Sequence, residues 1–118
     1  MSDDKDDLYA VADFCLIPMG TGDSSVAEYI AECQTVLQKS GLTFKMHGYG
    51  TNLEGPWNEV CKAIHDCHAA VHQLGAPRVA TDIRIGTRTD RQVVLGEGNN
   101  RKVHRVEEIL ARKEAELR

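Results

Sequence analysis

Aromatic residues are scarce in this 118-residue chain, with two Phe, three Tyr and one Trp, and proline appears three times. A core must therefore be built from aliphatic side chains, and helices run with few forced breaks. Basic excess is missing as well. Lys and Arg number 14 against 18 Asp and Glu, a net charge of −4, so the basic face or stripe of a nucleic-acid binder is not expected. No apolar run reaches the roughly 20 residues of a transmembrane helix. The opening Met1–Asp7 is acidic, unlike a secretory signal or an Arg-rich transit peptide. It reads as a disordered, solvated tail of a cytoplasmic protein, ahead of one domain over residues 8–118. Four cysteines, Cys15, Cys33, Cys61 and Cys67, include no CxxC pair, which argues for reduced thiols over a disulfide framework. The P-loop lysine, GxGxxG and HExxH are all missing, so those routes to nucleotide or zinc chemistry have no support.

What is present is organised around Pro18-Met19-Gly20-Thr21-Gly22-Asp23-Ser24-Ser25, where an extended apolar run gives way to a helix. Ser25 and Glu28 have capping-box spacing, and the loop is a candidate cradle for a small polar ligand as well as an ordinary strand–helix turn. The run before it, Leu8 to Ile17, is apolar on both alternating faces, as for a strand covered on both sides by helices and by another subunit. Asp13 on the second face then needs a partner. Ser25–Lys39 carries a helical stripe of Val26, Ile30, Cys33 and Leu37, closed by Gly41. Leu42–Tyr49 and Thr51–Glu54 read as strands. Pro56 opens a helix to about Leu74 with Val60, Ile64, Cys67 and Val71 inward. Arg78–Arg88 is the fourth strand, with Val93–Leu95 as its extension after a bend. Gly96–Asn100 is a loop, and a last helix runs from about Arg101 with a narrow stripe of Val103, Val106, Ile109, Leu110 and Leu117.

The order βαββαβ is the α+β, ferredoxin-like sandwich, here with an extra C-terminal helix. Its open sheet face would carry Val11, Asp13, Cys15, Lys45, His47, Asp82 and Arg84. Asp13 or Asp82 would pair with Arg84 in an oligomer interface.

Two constellations bear on chemistry. Cys61, His65, His68 and His72 share one stripe of the second helix. That stripe is about 16 Å long, so neighbours four apart can chelate but the four cannot share one ion. The second is Gly48–Trp57, which gathers glycines, hydroxyls, Glu54, Tyr49 and Trp57 into a candidate wall for a flat heterocycle.

Pro18-Met19-Gly20-Thr21-Gly22, Ser25-Val26-Ala27-Glu28-Tyr29, Gly50-Thr51-Asn52-Leu53-Glu54-Gly55-Pro56-Trp57 and Arg78 to Arg88 together resemble the thiamine-binding, YkoF-like family, in its short stand-alone, fungal-type branch. The likeness spans Leu8 to Asp90. It implies a ferredoxin-like fold, dimers that pair into tetramers through their sheets, and binding of thiamine or its hydroxymethylpyrimidine moiety without catalysis or cofactor. It also implies a pocket with Gly20, Thr21, Ser24 and Ser25 on one side and Thr51, Asn52 and Glu54 on the other. Glu54 would accept from an amino group, and Tyr49 or Trp57 would stack on a ring. The alternatives are a structural or interaction protein without a ligand, and a weak metal binder on the His/Cys stripe.

Overall fold

Alternation along the first strand decides the layering. The computed structural model describes residues 8–118, and the expected acidic tail, Met1–Asp7, lies outside them. In β1 (Tyr9–Met19), Ala10, Ala12, Phe14 and Leu16 are buried, whereas Tyr9, Val11, Asp13 and Cys15 are half-buried. The buried set packs on α1 (Ala27–Ser40) and α2 (Trp57–Gln73), which contribute Cys33 and Leu37, and Val60, Ala63, Ile64, Cys67 and Val71. With β2 (Thr43–His47), β3 (Gly50–Pro56) and β4 (Arg78–Gly86), β1 forms a fully antiparallel sheet of order β2-β3-β1-β4. Two helices on one face of this sheet make the ferredoxin-like α+β sandwich, and α3 (Gly98–Glu116) is the extra helix.

Element ends differ from expectation where a distant or competing group intervenes. The Ser25–Glu28 capping box does not form. The Ser25 N–H donates to Asp23 Oδ1 at 3.0 Å, and the helix starts at Ala27 with Val26 at the cap position. Gly41 ends α1 in the left-handed conformation, φ 75°, as expected. Pro56 sits at the N-cap of α2 rather than inside its first turn, because β3 runs on to Pro56. Val93–Leu95 does not extend β4; it leads into a turn in which the Glu97 N–H donates to the Val94 carbonyl. On β4, Ile83 faces the helices by its register with Phe14 yet stays 48% exposed at the sheet edge.

The last helix starts at Gly98, three residues before the expected Arg101. Glu54, 2% exposed, supplies the missing cap from the middle of the chain. Its Oε2 accepts from the Gly98 N–H at 2.7 Å and its Oε1 from the Asn99 N–H at 3.0 Å. A carboxylate at this place satisfies two orphan donors and meets the positive end of the helix dipole. The Tyr9 hydroxyl donates to the same Oε2 at 2.7 Å and accepts from the Gly96 N–H at 2.7 Å. The approach is close: a Cβ on Gly98 would lie 2.6 Å from Val11 Cγ2, which is why glycine stands there. Beyond this seat the helix leaves the sheet, and Val103, Val106 and Leu110 are more than half exposed.

Leu53 is fully buried, so Leu53→Ala should cost about 2–5 kcal/mol in urea titration, while Leu110→Ala on the exposed stripe should stay within about 0.5 kcal/mol. The Tyr9 phenol is pushed up from 10.0 to about 12, chiefly by burial and then by its bond to Glu54. The folded state keeps a proton that the unfolded chain loses first, so this contribution is full below pH 10 and fades as pH rises toward 12. Tyr9→Phe should flatten that alkaline limb of the stability profile. Glu54→Gln should destabilise by roughly 1–3 kcal/mol and speed hydrogen exchange at the Gly98 and Asn99 amides.

Candidate functional site

β1 is longer than the strand on one of its edges. Its pairing with β3 runs from Tyr9↔Pro56 to Phe14↔Thr51, whereas its pairing with β4 continues to Met19↔Arg78. The β2–β3 hairpin causes the difference, since it turns at Gly48–Tyr49 and closes with the His47↔Gly50 pair. From Cys15 to Met19, β1 therefore has no strand on its hairpin-side edge among the described residues. Such an edge holds main-chain N–H and C=O groups without ladder partners.

A cavity of about 240 Å³ lies against this edge, closed by the first half of α1 and by the hairpin turn. Phe14, Leu16, Ile17, Pro18, Val26 and Ile30 make its apolar walls. Its polar groups are few. Gln34 Nε2 donates to the Thr51 hydroxyl at 3.1 Å, and Thr51 is 4% exposed. That leaves the second Gln34 N–H, the Gln34 carbonyl oxygen and the Thr51 proton to serve a ligand. Tyr49 stands at the mouth, 89% exposed. Apolar walls with one donor–acceptor pair suit a flat, neutral heterocycle bearing ring nitrogens.

His47 lines the cavity from the sheet side and holds Asp13. Its Nε2 lies 2.5 Å from Asp13 Oδ1, and its Nδ1 accepts from the Tyr49 N–H at 3.3 Å, so Nε2 carries the proton toward the carboxylate. Asp13 therefore does not pair with Arg84, although the two are register neighbours across β1 and β4. The His47 ring reaches Asp13 past Gly50, where a Cβ would lie 3.3 Å from the ring and 2.6 Å from the Phe14 carbonyl oxygen.

The residues expected to wall a pocket are divided by this geometry. Thr51 and Tyr49 line the cavity. Gly20, Thr21, Ser24 and Ser25 lie in the loop between Pro18 and Val26, both of which touch the cavity. Two of the loop's hydroxyls are engaged locally: Thr21 Oγ1 donates to the Asp23 carbonyl at 3.2 Å, and Ser25 Oγ accepts from the Ala27 N–H at 3.5 Å. Asn52 and Glu54 follow Thr51 at odd spacing from it in a two-residue period. They face the opposite side of the sheet. Both oxygens of Glu54 are engaged under α3, and Trp57, 37% exposed, begins α2 beside Leu8, whose carbonyl accepts its N–H. Gln34, Ile30 and Val26 were not anticipated as a wall. The available signal was the α1 stripe itself, whose register 26, 30, 33, 37 brings residue 34 to the sheet side.

The His/Cys stripe of α2 is dispersed. His68 Nε2 bonds the Thr81 hydroxyl, and His72 Nδ1 donates to the Ala76 carbonyl at 2.8 Å. Burial lowers the His68 pKa, with His72 and His65 adding to the effect. Among the described residues no group of three or more His, Cys, Asp or Glu is placed to hold a metal ion. All four thiols are free, and the contact with Cys33, together with burial, pushes the Cys67 thiol up. No helix among the described residues is long and apolar enough to cross a membrane.

Comparison with known proteins places this geometry in a family. The model described as "Thiamine-binding protein" matches residues 12–107. The UPF0045 protein sll0230 of Synechocystis sp. is 50% identical over 90 residues, 76% of this chain and 74% of that protein. The UPF0045 protein ECM15 of the fungus Eremothecium gossypii is 41% identical over 85 residues, covering 72% of this chain and 81% of the relative. Among solved structures, the hypothetical protein MJ1052 of Methanocaldococcus jannaschii superimposes with a TM-score of 0.72 at 30% identity, over 85% of this chain and 97% of its own. The shared fold, the matched strands and these identities make this chain a member of the thiamine-binding protein family.

Proposed function

We propose that the chain is a non-enzymatic binding protein for thiamine or its hydroxymethylpyrimidine moiety, and that it works as a cytoplasmic homotetramer. The observation that carries this reading is the cavity at the open edge of β1, where the Gln34–Thr51 pair stands among apolar walls. An aminopyrimidine offers ring acceptors and an amino donor, which are the complements of an amide, a hydroxyl and an unpaired strand edge. At about 240 Å³ the cavity is smaller than the roughly 300–1,000 Å³ that encloses drug-sized ligands, so one ring enters and the rest of thiamine lies at the mouth. There the exposed Tyr49 ring is free to stack on the cationic thiazolium. In this reading Thr51 and Tyr49 touch ligand directly, and Gly20, Thr21, Ser24 and Ser25 form the rim. Asn52, Glu54 and Trp57 support the fold from outside the cavity.

The tetramer reading draws on apolar surface that water does not favour: Ile17 and Met46 on the sheet, and Val103, Val106 and Leu110 on α3. The same surface favours the second reading, an interaction protein with no small ligand.

Calorimetric titration with thiamine and then with hydroxymethylpyrimidine separates the two. Saturable binding is expected, weakened at least about tenfold by Gln34→Leu or Thr51→Val, the loss of one buried hydrogen bond or more. Asn52→Ala, on the other side of the sheet, should leave affinity unchanged. Absence of heat with either compound would favour the interaction protein. Light scattering at micromolar concentration should give four chains per particle, and a monomer would remove the tetramer.

A further inference from the structure

We infer that the groove between α3 and the segment after β4 is a second ligand site, for a small polyanion of the phosphate or pyrophosphate ester class. Arg88 and Arg91 enter it from the segment after β4, and Arg101, Lys102 and Arg105 from α3. Two of these five cations are compensated. Arg88 forks onto Asp90, Nε to Oδ1 at 2.7 Å and Nη2 to Oδ2 at 2.5 Å, and this holds the Asp90 carboxyl down at about 2. Arg105 has Glu108 at 3.8 Å. Arg101 and Lys102 have no ion-pair partner among the described residues, and Arg91 has none within salt-bridge distance although its charge acts on Asp90, against one further carboxylate in the groove, Glu97. In a chain of net charge −4 this is a local reversal of sign, gathered from two separate segments into one concave surface.

The arrangement on α3 is directional. Residues 101, 105 and 108 share one face at helical spacing, with His104 beside them, while Val103, Val106 and Leu110 lie on the other side and are exposed. The basic face is therefore turned inward to the groove, where a ligand would meet several cations at once. Guanidinium forks match phosphate oxygens two at a time, which a halide cannot do, and the several oxygens of a polyanion can engage more than one fork at once. The first two N-terminal donors of α3 take no part, because Glu54 already occupies the Gly98 and Asn99 N–H groups. A single-stranded nucleic acid is disfavoured as occupant. Its usual platform is a row of exposed aromatics, and the aromatic ring lining this groove, Tyr9, has its hydroxyl tied to Glu54 and Gly96. Tyr9 and Val11 border the groove at one end of β1, whereas the apolar cavity lies at Phe14 to Pro18, so this site stands or falls apart from the thiamine reading.

The test is calorimetric titration of the full chain with inorganic pyrophosphate at low ionic strength, repeated in added salt. One saturable site per chain is expected, weakening as salt rises. The R91Q/R101Q double variant should bind at least about tenfold more weakly, the worth of one or two charge-assisted hydrogen bonds. R112Q, an exposed arginine outside the groove, should bind as the parent does. Both arginines of the double variant are exposed, and an unchanged melting temperature would confirm that the fold persists. No saturable heat would overturn the site, and so would equal weakening in R112Q, which marks diffuse attraction. Displacement of pyrophosphate by a short single-stranded oligonucleotide at lower concentration would overturn the small-ligand assignment in favour of nucleic acid.

Discussion

The unequal edges of β1 are the constraint on which the rest of the molecule depends. Eleven residues long, this strand is paired along nearly its whole length with β4 but only over its first half with β3. The shared half makes the core, because Ala12 and Phe14 sit under two helices and between two strands. The unshared half makes the cavity. Extending the hairpin by a few residues would pair Cys15 to Met19 and fill the space beside Gln34. Main-chain groups there forgo ladder hydrogen bonds and border a cavity whose walls are largely apolar.

A second dependency runs through Glu54. A carboxylate 2% exposed is costly unless its lone pairs are satisfied, and here three donors meet it: the Tyr9 hydroxyl and the Gly98 and Asn99 amides. The same contacts hold the start of α3 against the sheet, and with it the basic face that borders the groove. The polar features of the molecule thus fall at two ends of β1. One end is apolar and carries an amide–hydroxyl pair; the other is charged and rests on a buried acid.

Much of the fold was legible from residue pattern because it is built from local periodicity. The two-residue alternation of β1, the stripe 60, 64, 67, 71 of α2 and the glycine stop of α1 each act within a few residues. The family likeness was legible too, in the Gly50–Trp57 and Pro18–Gly22 blocks. The start of α3 was not, because its cap comes from 44 residues away. The partner of Asp13 was missed for a similar reason: register points to Arg84, but the bare Gly50 opens a diagonal path for His47. At the candidate site, contiguity misled. Thr51, Asn52 and Glu54 are near in sequence, yet a strand sends the first to one face and the other two to the opposite face. Gln34 lies beside the α1 stripe rather than in it, and only the short hairpin turns that flank into a wall.

The account rests on the open edge of β1 as the place where ligand meets protein. Amide chemical shifts of isotope-labelled protein, followed during titration with hydroxymethylpyrimidine, test this most directly. The largest changes should fall on Cys15 to Ile17, on Gln34 including its side-chain amide, and on Tyr49 to Thr51. Changes centred instead on Glu54, Trp57 and the first turn of α3, with the β1 edge unmoved, would contradict it.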